Sequence, residues 1–303
     1  MRRTLVSAML LAFCTACQLP DTRSFAEATS TLRHSIIRGG EVVVGAQDGG
    51  GILDAEAPAA QLAMEWNVRV ETIDAILQYS DALTSIVDAG GNKGEKTAAL
   101  AASVETLAKS LPPNAISSGI SEGKAVAEIL VNAAKQVRAS RSIERALSEA
   151  HAAVVEIARI LEADFKDLAR IYENEMQNQI KALNDAYGAS NQYRKRLSDS
   201  LSKARTEMLD ARTSATVADV AALEELYAAT RPEHDRYRAL LSRLERARQG
   251  GLDFFGRAQT AVKIWEQAHA DLRGAVMANR RPNVMLLAST ATELREAIDD
   301  LRN

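Results

Sequence analysis

Leu147, Ala150, Val154, Ile157, Leu161, Asp164, Leu168 and Ile171 follow one another at alternating spacings of three and four, and no proline occurs between Arg141 and Ala211. That spacing places one side chain per turn on a single face of a helix, the a/d seam of a coiled coil. The stripe skips one residue and resumes at Met176, Ile180, Leu183, Tyr187, Ser190, Arg194, Leu197, Leu201, Ala204, Met208 and Ala211. A helix of 3.6 residues per turn drifts against a 3.5-residue repeat, so one skipped position keeps the seam turned to its partner without strong supercoiling. The spacing predicts a rod over 141–211, roughly 105 Å long at about 1.5 Å per residue.

A second stripe supplies a partner. Tyr237, Leu240, Leu244, Ala247, Gly251, Phe255, Ala258, Val262, Trp265, His269, Leu272 and Val276 keep the same alternation, in phase through Gly250 and Gly251, which predicts a kink there and not a domain boundary. Thr216 with Asp219, and Thr230 with Pro232 and Glu233, have the form of capped helix starts. Pro282 follows Arg280 and Arg281, and a last amphipathic helix is expected over 283–301.

The chain before the rod is also helical in pattern. Residues 22–47 carry helical spacing until Gly49, Gly50 and Gly51, residues 60–88 until Gly90 and Gly91, and shorter helices fit 95–110 and 115–138 on either side of Pro112 and Pro113. Only Glu41 to Val44 looks strand-like, and four residues do not make a sheet. Aromatic residues are 4% of the chain, and the 47% apolar content leans on alanine, which suits closely packed helices. The expected fold is all-α: an elongated helical bundle built around a long antiparallel coiled-coil-like hairpin, forming one domain over 22–303.

Both cysteines fall near the start. Met1, Arg2 and Arg3 precede an apolar run from Leu5 to Phe13, and Thr15 and Ala16 precede Cys17. Positive, apolar and small-residue zones in that order form a secretory signal too short to span a bilayer. The segment resembles bacterial lipoprotein signals, in which cleavage precedes a cysteine that becomes lipidated. Cys14 departs from the usual leucine three positions upstream. The resemblance implies a cleaved segment 1–16, lipidation of Cys17, a tether over 17–21 and, since Gln18 and not Asp follows the cysteine, the periplasmic face of the outer membrane. The stretch from Phe25 to Ala46 is also similar to the start of uncharacterised predicted lipoproteins of Gram-negative bacteria, which implies no activity. Cleavage takes away Arg2 and Arg3, so 37 basic residues become 35 against 40 acidic ones. With Cys17 occupied by lipid, no disulfide forms within one chain. No later run of 18 uncharged apolar residues occurs, so the lipid is the only expected membrane attachment.

Three short patterns could suggest chemistry. Gly119 to Gly123 matches G-x-S-x-G, but a nucleophile elbow needs a strand before the serine, and Ser121 instead reads as a polar residue at the front of a helix. Gly90 to Thr97 is close to a phosphate-binding loop, but Glu95 between Gly94 and Lys96 would repel phosphate. Glu266 and His269 form one E-x-x-H, whereas a di-iron bundle needs two with further glutamates, so His269 is expected to be a hydrogen-bonded core residue. No catalysis, cofactor, metal, small-molecule substrate or nucleic acid is expected.

Charge leaves one candidate surface. Arg194, Lys195, Arg196, Lys203 and Arg205 crowd the rod, and Arg231, Arg236, Arg238, Arg243, Arg246 and Arg248 crowd the return arm. A hairpin tip near Ala215 would set residue 195 opposite about residue 235 and gather both groups into an anion-binding face. A tip near Thr230 would misalign them. Arg194 lies on the seam, where its stem is expected to pack while its guanidinium reaches solvent. Two functions follow: a lipid-anchored scaffold that binds an envelope protein or its own kind, or a membrane-active protein meeting anionic headgroups. The second has an organisation similar to BAR domains, which bend membranes as elongated helical dimers.

Overall fold

The computed structural model describes residues 22–48, 56–88, 93–110, 120–139, 143–209, 217–278 and 280–302. Cys14, Cys17, Gly49 to Gly51, Pro112, Pro113, Gly119 and the stretch from Ala211 to Thr216 lie outside them. Among the described residues every regular element is an α-helix: α1 (Arg23–Asp48), α2 (Glu56–Asp88), α3 (Lys93–Ser110), α4 (Ile120–Ala139), α5 (Ile143–Leu209), α6 (Val217–Ala229), α7 (Arg231–Met277) and α8 (Met285–Arg302).

The rod is real. Helix α5 is unbroken for 67 residues, about 100 Å, and its most extensive packing is against α7. Together they form the long hairpin around which the bundle is built. Leu147, Ala150, Val154, Ile157, Leu161, Leu168, Met176 and Leu183 are all buried. At the skipped position the seam passes through Tyr172 rather than Ile171, and Tyr172 donates a hydrogen bond to the Ala247 carbonyl at 2.7 Å. Helix α7 runs continuously through Gly250 and Gly251. Gly251 lies under the Tyr172 ring, where a Cβ would collide with it, so close approach accounts for this glycine.

The register of the hairpin follows from side-chain pairs. Glu173 accepts from Arg248 at 2.8 Å, Asn184 accepts from Tyr237 at 2.8 Å, and Arg194 reaches Thr230 at 2.6 Å. Val220 of α6 packs on Leu201 and Ala204 of α5, so the chain reverses between Leu209 and Val217 and not at Thr230. The Thr230 cap is a correction. Thr230 has helical angles, φ −80° and ψ −8°, and its hydroxyl donates back to the Tyr227 carbonyl at 2.8 Å instead of capping α7. A threonine whose hydroxyl is held by the preceding turn is not free to bond the amides ahead of it.

Seven helices share one core. Phe25 of α1 and Tyr79 of α2 meet His269 of α7, while Trp66 and Phe254 stack edge to face further along. Gly39 sits beneath Phe254 and Gly40 beneath Trp66, so α1 runs antiparallel to α7, from the His269 end toward the arm. Glu41 to Val44 are helical within α1, with Val43 buried, so the strand-like run follows its helix neighbours. Helices α3 and α4 pair with each other beside α2 and α5, and α8 covers α1 and α7, where the Ser35 hydroxyl donates to the Ala291 carbonyl at 3.2 Å.

Beyond Met176 on α5 and Leu244 on α7 that core stops. Among the described residues helix α6 contacts only α5 and α7, and the distal half of the hairpin projects from the body without a further layer over it. No helix among the described residues is long and apolar enough to cross a membrane.

Candidate functional site

Among the described residues the arm is the part of the fold without a covering layer, and it carries nine of the eleven basic residues singled out from sequence, with Arg246 and Arg248 lying nearer the body. Its seam is more polar than the body's. Tyr187 and Tyr237 rings lie 5.4 Å apart, and His234 approaches Asn191 at 3.4 Å. Arg194 donates to the Tyr227 carbonyl at 3.0 Å and the Thr230 hydroxyl at 2.6 Å, with its guanidinium carbon 4.0 Å above the Tyr227 ring. Its guanidinium therefore crosses to the α6–α7 junction and is held there instead of reaching into solvent. Two hydrogen bonds and a cation–π contact outweigh hydration of a residue already on the seam.

The other candidates divide by partner. Arg205 pairs with Glu224 at 2.6 Å, Lys203 lies 3.8 Å from Glu207, and Arg243 has an interaction within the protein. Lys195, Arg196, Arg236 and Arg238 are exposed and make no ion pair or hydrogen bond among the described residues.

They do not share a face. Successive residues leave a helix about 100° apart, so Lys195 and Arg196 depart on opposite sides of the seam held by Arg194, Leu197 and Leu201. In the antiparallel register Lys195, Arg231 and Arg238 fall on one flank of the arm, and Arg196, Lys203, Arg236 and Arg243 on the other. Lys195 stands beside the Arg194–Thr230 contact, not opposite residue 235. Arg236 neighbours Tyr237, whose ring lies tilted against that of Tyr187, so it lies about 13 Å along the arm from Arg196.

A second constellation lies in the body. The Tyr79 hydroxyl is 2.6 Å from His269 Nε2, and His269 Nδ1 is 3.2 Å from His151 Nδ1. His269 is fully buried, so both its ring nitrogens are held by protein groups, as expected for a core histidine. Burial, then the neighbouring His151 and Arg273, lower its pKa to about 3. Burial also lowers His151, with Arg273 adding to it, and raises the Tyr79 hydroxyl. This neutral chain can relay hydrogen bonding from the half-buried His151 to the interior. Among the described residues no group of three or more His, Cys, Asp or Glu is placed to hold a metal ion. Ser121 is the second residue of α4, and Lys93 to Thr97 form the first turns of α3.

Two apolar features escaped the sequence pattern. Leu209 and Val217, at the ends of α5 and α6, are 83% and 75% exposed. Met277, Met285 and Leu286, around the α7–α8 turn, are 66%, 79% and 58% exposed. A stripe shows which residues share a face, but not where a helix outruns its neighbours.

No protein-family model, curated protein or solved structure matches the chain.

Proposed function

We propose that the protein is a lipid-anchored scaffold of the outer membrane's periplasmic face, holding its body at the membrane and presenting the α5–α6–α7 arm to another envelope protein or a second copy. The observation that supports this is the opposition of the chain's start and the arm's end. Thr22 accepts a hydrogen bond from Thr84 at 3.5 Å, beside the Phe25–His269 contact. From His151, at that level, α5 runs to Leu209, about 85 Å further on. Five residue steps from Thr22 to Cys17 reach at most about 17 Å. A lipid on Cys17 would tie down the body's end and leave the arm far from it.

The proposal includes no catalytic step. The membrane-active alternative, BAR-like in organisation, draws on the four unpaired cations of the arm, but these are split between its flanks.

A photo-crosslinking side chain at Leu209 or Val217 in intact cells should give a discrete adduct, and mass spectrometry of the mature N-terminus should find a lipid on Cys17. Absence of adducts from the arm, together with salt-sensitive vesicle binding that needs Lys195, Arg196, Arg236 and Arg238, would favour the alternative.

A further inference from the structure

We infer that the α7–α8 turn is a membrane-contacting surface, in which Met277, Met285 and Leu286 enter the headgroup boundary of a lipid bilayer beside the anchored N-terminus. The inference rests on the lipid-anchor reading for its orientation. Three large apolar side chains are exposed at this turn, while the next turns of α8 bury Leu287, Ala291, Leu294 and Ile298 against the core. The apolar residues at the start of α8 thus divide between core and solvent. Packing accounts for the buried set alone.

The turn itself is built firmly. Ala278 N–H donates to the Gly274 carbonyl at 3.0 Å and Arg280 N–H to the Ala275 carbonyl at 2.9 Å, closing the end of α7. Asp271 accepts from Arg280 and from the Asn283 backbone amide at 2.6 Å, and Asn283 accepts from the Met285 amide at 3.2 Å. Exposure of the three side chains is therefore fixed by an ordered connection. Arg281, exposed within the turn, has no ion pair among the described residues, which leaves a cation available to an anionic headgroup.

Position selects the occupant. The turn closes the end of the body at which α1 begins, and Thr22 is five steps from Cys17. A lipidated Cys17 would bring this end within about 17 Å of the bilayer. Apolar side chains rimmed by a cation are what such an interface accepts. The arm carries its own exposed apolar residues at the far end, where the same bilayer is out of reach.

Residues 18–303 contain no cysteine and retain the whole core, so single labels can be placed without background. An environment-sensitive dye on Leu286→Cys in this soluble chain should shift to shorter wavelength with phosphatidylglycerol-rich vesicles. The same dye on Ser200→Cys in the arm should not shift. Met277→Asp with Met285→Asp should weaken vesicle partitioning at least tenfold while leaving helicity unchanged. A shift at position 200, no shift at either position, or partitioning untouched by the paired aspartates overturns the inference. Because this chain carries no lipid, its result is separate from mass spectrometry of Cys17: absent lipid would remove the anchor but leave the vesicle result standing.

Discussion

His151 and His269 stack with their ring centroids 5.3 Å apart and their planes within 9°, which makes the centre of a helical body intolerant of a proton. A charge on His269 would face His151 and Arg273 without water, and both disfavour it.

The folded pKa of His269, about 3, lies below the ordinary value of 6.5. The unfolded chain therefore binds more protons between those values, and stability falls as pH drops from about 6.5 toward 3. Each proton taken up on unfolding contributes a slope of up to about 1.4 kcal/mol per pH unit. Urea unfolding between pH 7 and pH 4.5 should show this decline, and His269→Phe should flatten it. The variant should also lose about 1–3 kcal/mol at pH 7, since Tyr79 forfeits its partner.

Glycines in helices should respond with opposite signs. Gly40→Ala would drive a methyl into the Trp66 ring, which overpacks the core at a cost of about 1–3 kcal/mol. Gly188→Ala meets nothing within 4 Å and should stabilise by up to about 1 kcal/mol. Thermal melts of the two variants should move in opposite directions.

Arg69 and Asp164 are both buried, 3.4 Å apart, and Arg69 also donates to Glu65 at 2.6 Å. Burial raises the Asp164 pKa, and Arg69 opposes that rise. Arg69→Met should cost about 3–5 kcal/mol by stranding the carboxylate, and adding Asp164→Leu should recover much of the loss. Denaturant unfolding of the single and double variants measures the coupling.

The two helices of the arm should separate energetically from their surface charges. Arg194→Ala removes contacts to Tyr227 and Thr230 and should speed proteolysis near the α6–α7 junction. Lys195→Ala, exposed and unpaired, should leave the cleavage rate unchanged.

Within the body, Leu168 is fully buried on α5, so Leu168→Pro should cost well over about 3 kcal/mol, combining helix disruption with loss of a packed side chain. Asp199→Ala on the exposed arm should stay within about 0.5 kcal/mol. Circular dichroism melts distinguish the pair.

Periodicity made the fold class and the rod legible because burial follows directly from which residues share a helix face. It placed His269 and Asp164 on buried seams. It did not reveal that Tyr172 takes over from Ile171, since that choice depends on Gly251 across the interface. Nor did it separate Arg194 from Lys195: adjacent cations look alike in sequence, yet one is held by Thr230 and the other points away. The division of basic residues between two flanks depends on register, which the side-chain pairs from Glu173–Arg248 to Arg205–Glu224 set.

An arm only two helices thick has a further property. Its distal pair holds Leu201, Ala204 and Val220 in a small cluster separate from the main core, so opening there exposes little apolar surface. Backbone amides beyond Leu197 should exchange with solvent through local opening, while those around Leu161 and Trp265 should exchange only through global unfolding. Such a chain has a graded free-energy landscape along its length, in which the outer segment can reshape itself on another surface without loosening the body.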